Sequence, residues 1–277
     1  MTKQPPADLH HLVLETGVAA ARQAGELIAA AAGALDPGDV RLKGKNDLVT
    51  AVDERSQKAI VDAILDRFPD HGILAEEGLD TRTGDGSPPE HLWIIDPIDG
   101  TTNFTRGIPP YAVSIGYAHR GRLTVGVVLD VAHDELFTAV EGEGLFLNGV
   151  RTGVTGTEML ADAVITTGFP YRALDHVDVY LSVLKEFMSG SRAVRRPGSA
   201  SVDLAWVACG RFDGFFETGL KPWDVAAGIV LVREGGGRIT SYAGNPDAAF
   251  DHQIVASNGR IHEEMLALLD PMKHITD

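Results

Sequence analysis

Trp93-Ile94-Ile95-Asp96-Pro97-Ile98-Asp99-Gly100-Thr101-Thr102-Asn103-Phe104 is the stretch on which the reading of this chain turns. Its apolar start, Leu92 to Ile95, reads as a buried strand that delivers Asp96 at its C-terminal end. Pro97 has no N–H and cannot extend a central strand, so the strand is expected to stop and the chain to turn there. Asp99 is then expected to come back beside Asp96, with the Ile98 carbonyl between them. Gly100 lets the backbone approach a ligand closely. Thr101, Thr102 and Asn103 offer hydroxyl and amide groups that can cap a following helix. Two carboxylates and a carbonyl within a few residues suit a hard cation such as Mg²⁺, which takes oxygen ligands. A mere capped turn would leave two like charges unpaired at a buried strand end.

Upstream, Leu9 to about Ala32 is helical and Ala-rich, with an apolar stripe of Leu14, Val18, Ala21, Ala24 and Ile28. Gly25 inside it marks a close packing contact. Asp36-Pro37-Gly38-Asp39 breaks that helix. A second helix is expected from about Glu54 to Phe68, on a stripe of Ile60, Val61, Ile64, Leu65 and Phe68. A short strand, Ile73 to Ala75, runs into Glu76-Glu77-Gly78, and the polar residues from Asp80 to Pro89 read as a loop. Downstream, Ala112 to His119, Leu123 to Asp130 and Glu135 to Val140 read as antiparallel strands, with turn signals at Arg120-Gly121 and Asn148-Gly149. Helices followed by a strand meander make the first half α+β. The second half alternates: strands at 163–167, 192–195, 212–217, 238–242 and 254–256, and helices at 177–187, 201–209, 222–234 and 261–269. The best internal boundary lies around Gly149 to Leu160. It divides the chain into 1–150, with most of the acidic candidates, and 151–277, with the two halves sharing one core in a single unit.

Three further acidic positions have the character of Asp96. Glu76 ends an apolar strand, Asp224 sits in the first turn of an apolar helix (Pro222-Trp223-Asp224-Val225), and Asp53 follows Asp47-Leu48-Val49-Thr50. Read alone, each has a plainer alternative: a strand-end carboxylate, a helix-start acid and an N-cap respectively. Glu77 fits a solvated neighbour better than a ligand. His10 and His11 fit a solvated helix face.

With 277 residues the chain can bury a sizeable core without disulfide or structural metal. The 24 basic and 39 acidic residues give a formal charge of −15, which disfavours nucleic-acid binding over a broad surface. An anionic substrate has to be met by a local cation or a bound metal. The one cysteine, Cys209, excludes an intramolecular disulfide, and its apolar surroundings read as a buried structural thiol. The longest apolar run, Leu27 to Leu35, is about half of what a membrane span needs, and no signal peptide opens the sequence. The expectation is therefore a cytoplasmic protein without a membrane partner. A Walker-type phosphate loop, a His-Glu-x-x-His zinc motif and a Gly-x-Ser-x-Gly nucleophile turn are all absent from the sequence.

Asp96-Pro97-Ile98-Asp99-Gly100-Thr101-Thr102-Asn103-Phe104 resembles the signature of the inositol monophosphatase family, and Trp223-Asp224-Val225-Ala226-Ala227-Gly228 resembles its second signature. Asp47 through Asp53, Glu76-Glu77 and Gly198-Ser199-Ala200 match in order and spacing. The likeness runs from the first helix to about Arg260. It implies the layered α/β/α/β/α sandwich shared with fructose-1,6-bisphosphatases, usually as a homodimer, and lithium sensitivity in many members. It implies two to three Mg²⁺ ions: Glu76, Asp96 and the Ile98 carbonyl on the first, Asp96, Asp99 and Asp224 on the second, and Glu76 also reaching a third. Asp53 and Thr101, with Glu76, take the catalytic role of activating the attacking water. Gly100 and Thr101 turn backbone N–H groups toward phosphate oxygens. Lys43 matches a basic residue near the phosphate, with Lys45 as the alternative. Gly198, Ser199, Ala200 and Glu217 match substrate contacts, alongside Asp99 and Asp224.

The expected activity is hydrolysis of a phosphate monoester, foremost myo-inositol 1-phosphate, by metal-activated water. Such esters hydrolyse extremely slowly unaided, so charge stabilisation and positioning have to supply most of the acceleration. Fructose 1,6-bisphosphate, histidinol phosphate and 3′-phosphoadenosine 5′-phosphate are the alternative substrates within the superfamily. A regulatory protein that acts by binding a partner, such as transcription machinery, is the alternative from another class.

Overall fold

The structure is a computed structural model that describes residues 7–35, 38, 40–44, 47–81, 89–171, 174–247, 249 and 251–275. Most of the Asp36–Asp39 break, Lys45 and the middle of the 80–89 loop lie outside the described residues, as do the side chains of Lys43 and Asp47.

Helices α1 (Ala7–Ala31) and α2 (Ala51–Arg67) pack side by side on one face of a large sheet. Between them a hairpin of β1 (Val40–Gly44) and β2 (Asp47–Thr50) replaces a stretch in which no strand was expected. The large sheet contains β3 (Gly72–Ala75), β4 (Leu79–Asp80), β5 (His91–Asp99), β6 (Ala112–His119), β7 (Arg122–Asp130), β8 (Glu135–Val140), β9 (Gly144–Leu147) and β10 (Val150–Thr152). Its order is β10-β9-β8-β7-β6-β5-β3-β4, antiparallel except where β3 runs parallel to β5. Both expected turn signals close hairpins. Arg120-Gly121 (φ 52° and 78°) joins β6 to β7, and Asn148-Gly149 (φ 48° and 77°) joins β9 to β10, the positive-φ pairs that match strand twist.

The second sheet has the order β12-β11-β13-β15-β14, built from β11 (Val164–Thr167), β12 (Ala193–Arg195), β13 (Gly214–Thr218), β14 (Arg238–Thr240) and β15 (Gln253–Ser257). The short α3 (Thr101–Arg106) follows β5. Helices α5 (Ala200–Ala208) and α6 (Pro222–Glu234) share one apolar cluster with residues of both sheets. Helices α4 (Val177–Gly190) and α7 (His262–Leu269) share another with the second sheet. The layers are α/β/α/β/α, as the resemblance implies. The first sheet ends at Thr152, just past the expected division at 150, and the cluster around α5 and α6 is common to both halves.

The middle layer explains the sequence of α6. Val225 to Val232 are all buried, because sheets lie on both sides and no polar face is needed. Glycines on the large sheet let it come close. A Cβ on Gly126 would stand 2.5 Å from the Ala227 carbonyl oxygen, and one on Gly116 2.7 Å from the Ala227-adjacent Cβ of Ala226. On the opposite face a Cβ on Gly25 would meet Leu129 at 2.6 Å, the close contact expected of that residue. Full burial of each Val, Ile or Leu here contributes roughly 1.5–3 kcal/mol.

Several expectations need correction. Strand β5 does not stop at Asp96. It runs on to Asp99 through a bulge, since Asp96 pairs with Ser114 and Asp99 with Ala112, leaving one extra residue on β5. Pro97 fits there because a bulge leaves a residue without a ladder bond. Helix α2 begins at Ala51 rather than Glu54, and its N-cap is Thr50, not Asp53. His10 is buried against Tyr117, while its neighbour His11 is exposed and pairs with Glu143 at 3.2 Å. Residue 10 lies on the sheet-facing side of α1 with Val13, Ala20, Ala21 and Ala24. Cys209 is half-buried rather than fully buried, and burial pushes its thiol pKa up, as expected of a structural group.

Candidate active site

The bulge lies between Asp96 and Asp99, whose carboxylates come together at the C-terminal end of β5. Asp96 is 2% exposed, and its Oδ1 accepts from the Ile98 backbone N–H at 3.0 Å. Asp99 accepts at one oxygen, Oδ2, from Ser199 Oγ (2.7 Å), Ser201 N (2.7 Å) and Ser201 Oγ (2.5 Å). Its other oxygen has no bond to these groups. Asp224 occupies the third position of α6, where its Oδ2 accepts from the Lys221 N–H at 2.7 Å. Helix and strand ends thus meet: one carboxylate oxygen from each of Asp96, Asp99 and Asp224 lies within 4.8 Å of the others.

Glu76 follows β3, whose parallel pairing with β5 brings it to Asp96. Its N–H donates to the Ile95 carbonyl at 3.1 Å. Gln57 of α2 clamps this turn, accepting from Glu77 N–H at 2.9 Å and donating to the Glu77 carbonyl at 3.2 Å. Burial, then Glu76, Asp99 and Asp224, push the Asp96 carboxyl well above the usual carboxylate range. Burial also raises Asp99 against its serine donors, and burial with Asp99 and Glu76 raises Asp224 well above that range. An all-oxygen group of close, mutually repelling carboxylates fits a hard divalent cation, which would relieve the repulsion.

Asp53 completes a capping box with Thr50, accepting from its N–H at 2.9 Å and its hydroxyl at 2.5 Å. Its other oxygen, Oδ1, lies 3.4 Å from Thr101 Oγ1, which is also 3.0 Å from the Ile98 carbonyl oxygen. Burial raises the Asp53 pKa, opposed by the Thr50 bonds. Gly100 caps α3 with φ 88°. A Cβ there would stand 3.1 Å from the Pro110 carbonyl oxygen and 3.3 Å from Ser199 Cβ. Asn103 Nδ2 donates to the carbonyls of Pro110 and Pro197, both at 2.9 Å, which ties α3 to the Gly198 turn.

These groups open onto a cavity of about 750 Å³. Glu76, Asp96, Ile98, Asp99, Gly100, Thr101, Gly198, Ala200, Glu217 and Asp224 all line it. Asp53 sits behind Thr101, and Ser199 sits behind Asp99, where its hydroxyl is spent on that carboxylate. Gly168 leaves the space its side chain would take to the Glu217 carboxylate. Lys43 is on β1, but its side chain lies outside the described residues. Sequence reasoning missed Ser201, Gln57 and the rim formed by Arg196 with Phe169 and Tyr171, whose rings lie 5.6 and 5.3 Å from its guanidinium. Ser201 had one available signal: it begins a buried helix two residues after Gly198-Ser199, where a hydroxyl needs a partner.

The sequence profile of the inositol monophosphatase family matches residues 10–273. The Nus factor SuhB of Pseudomonas aeruginosa is 42% identical over 261 residues, covering 94% of this chain and 96% of that protein. Extragenic suppressor protein suhB from Bartonella henselae is 39% identical with a TM-score of 0.86, over 95% of this chain and 100% of that one. An IMPase from Thermotoga maritima is 36% identical with a TM-score of 0.84, over 93% and 96% of the two chains. These likenesses support phosphatase activity and metal binding.

Proposed function

Since the chain belongs to the inositol monophosphatase family, we propose that it hydrolyses a phosphate monoester with Mg²⁺, foremost myo-inositol 1-phosphate. The observation that carries this reading is the meeting of Asp96, Asp99 and Asp224 within 4.8 Å in the wall of one cavity.

Glu76, Asp96, the Ile98 carbonyl, Asp99 and Asp224 would hold two to three Mg²⁺ ions. Bound there, Mg²⁺ supplies a lower pKa for water and neutralises charge on the phosphoryl and leaving oxygens. The chain's own residues do the rest. The Thr101 hydroxyl stands between the cavity and Asp53 Oδ1. It can accept a proton from a water in the cavity while donating its own toward the Asp53 carboxylate. Gly100 and Thr101 open α3, where the first N–H groups have no helical partner and suit phosphate oxygens. The serine donors fix Asp99 by one oxygen and leave the other for the cation. Glu217, in the cavity wall, would accept hydrogen bonds from hydroxyls of the departing polyol. With no activated Ser, Cys or His nucleophile in this set, one direct displacement follows, with inversion at phosphorus. We expect two copies to associate, following the family, and expect Lys43 to approach the phosphate.

The name Nus factor borne by the Pseudomonas relative favours a second reading, a regulatory role through a protein partner. The two are compatible on one chain. A phosphate-release panel separates the substrates: myo-inositol 1-phosphate against fructose 1,6-bisphosphate, histidinol phosphate and 3′-phosphoadenosine 5′-phosphate, each with Mg²⁺ and with chelator. The proposal expects the highest kcat/KM on the inositol ester. Turnover on none of the four would favour the binding role alone.

A further inference from the structure

Strand β5 carries metal-ligating side chains at both ends. The carboxylate cluster sits at its C-terminal end. At its start His91 pairs in register with His119, the last residue of β6. From residue 91 to 96 a strand advances about 17 Å, so the two ends are separate places.

One donor atom from each of Glu90, His91 and His119 lies within 4.8 Å of the others. His119 Nε2 is already 3.4 Å from Glu90 Oε1. Two ligands held at about 2.0–2.2 Å by a tetrahedral ion stand about 3.3 Å apart, so this edge needs almost no adjustment. The His91 ring is fixed on several sides. Its Nδ1 lies 2.6 Å from Tyr117 Oη, which leaves Nε2 for a ligand. His71 stacks on it with centroids 4.3 Å apart, and the Trp93 indole in turn donates to His71 Nδ1 at 3.0 Å. A hydrogen-bonded second nitrogen is the arrangement that orients metal-bound histidines. Arg120 holds the Glu90 carboxylate at the site, donating to Oε1 at 2.8 and 3.1 Å.

We propose that Glu90, His91 and His119 form a second cation site that takes a divalent transition metal of the Zn²⁺ type. Two imidazoles and one carboxylate select Zn²⁺ over Mg²⁺, which demands oxygen ligands. Water fills the fourth position. The ion joins the starts of β5 and the end of β6, with Tyr117 acting as a positioning residue for His91.

The test is Zn²⁺ binding to the full chain by equilibrium dialysis, in excess Mg²⁺ to compete at the hydrolytic carboxylates. Wild type and Asp224→Asn should each retain one tightly bound Zn²⁺ that Glu90→Ala and His91→Ala lose. Tyr117→Phe should bind it about tenfold more weakly. Co²⁺ should give visible ligand-field absorption in wild type and not in Glu90→Ala. Glu90 is exposed, so that variant folds, and its Mg²⁺-dependent hydrolysis checks this independently. Zn²⁺ retained by folded Glu90→Ala and His91→Ala, or lost only in Asp224→Asn, would overturn the proposal.

Discussion

Asp96→Asn should make the chelator-treated protein more stable while removing most of its turnover. Carboxylate oxygens of Asp96, Asp99 and Asp224 stand within 4.8 Å of one another. At an effective dielectric of about 20, two unit charges at that separation repel by about 3 kcal/mol. Proton uptake relieves part of this, because burial and the neighbouring carboxylates raise the Asp96 pKa well above the ordinary carboxylate range. A carboxyl whose folded pKa is raised in this way destabilises the fold increasingly as pH rises above its unfolded value, and in full above the raised one. Asparagine keeps the Oδ1 acceptor for the Ile98 N–H and nearly the same volume. The net gain should be about 1–3 kcal/mol, measured by urea unfolding at pH 8 in chelator with an unchanged m-value. Saturating Mg²⁺ should narrow or reverse the difference, because only the wild type keeps the full ligand set. A less stable Asp96→Asn protein in chelator would refute the reasoning, since the carboxylate would then be held by the protein itself.

Glu217→Gln should lower kcat/KM for inositol phosphates ten- to a hundredfold, the equivalent of a charged hydrogen bond of about 1.5–3 kcal/mol, and leave p-nitrophenyl phosphate nearly unaffected; equal losses on both would assign Glu217 to the metal site. Gly126→Ala would set a Cβ 2.5 Å from the Ala227 carbonyl oxygen and push α6 off the sheet. It should cost about 1–3 kcal/mol and weaken Mg²⁺ activation through Asp224; an unchanged unfolding midpoint would show that the layer yields freely. His262 is fully buried between Thr240 and Ser257, and burial lowers its pKa from 6.5 to about 4. The unfolded chain binds the proton first, so stability should be full above about pH 6.5 and fall by about 3 kcal/mol toward pH 4. His262→Gln should flatten that limb, and an unaltered pH profile would remove His262 as its cause.

The carboxylates were legible because each borders an apolar element: Asp96 follows Ile95, Glu76 follows Ala75, and Asp224 precedes the buried run of α6. The second half followed from its alternation, and α6 runs over the expected residues, 222–234. What escaped were features set by partners far along the chain. The bulge at Pro97 depends on the register of β6, which a local reading of Asp96-Pro97 cannot contain. The role of Thr50 as cap depends on Asp53 being turned inward toward Thr101. His10 was misplaced because adjacent histidines look alike in sequence, while a helix turns them to different faces. Ser201 belongs to no motif that marks it in the sequence, and its bond to Asp99 appeared only once α5 met the end of β5.

The most direct measurement is phosphate release from myo-inositol 1-phosphate as Mg²⁺ is titrated into the chelator-treated chain, in wild type and Asp224→Asn. Asp224 comes from the other half of the sequence, so it tests whether the assembled cluster is the hydrolytic centre. The account predicts no release without Mg²⁺, saturable recovery in wild type, and little recovery in Asp224→Asn at any Mg²⁺ concentration. Equal hydrolysis in chelator, or full recovery in Asp224→Asn at the wild-type Mg²⁺ concentration, would contradict it.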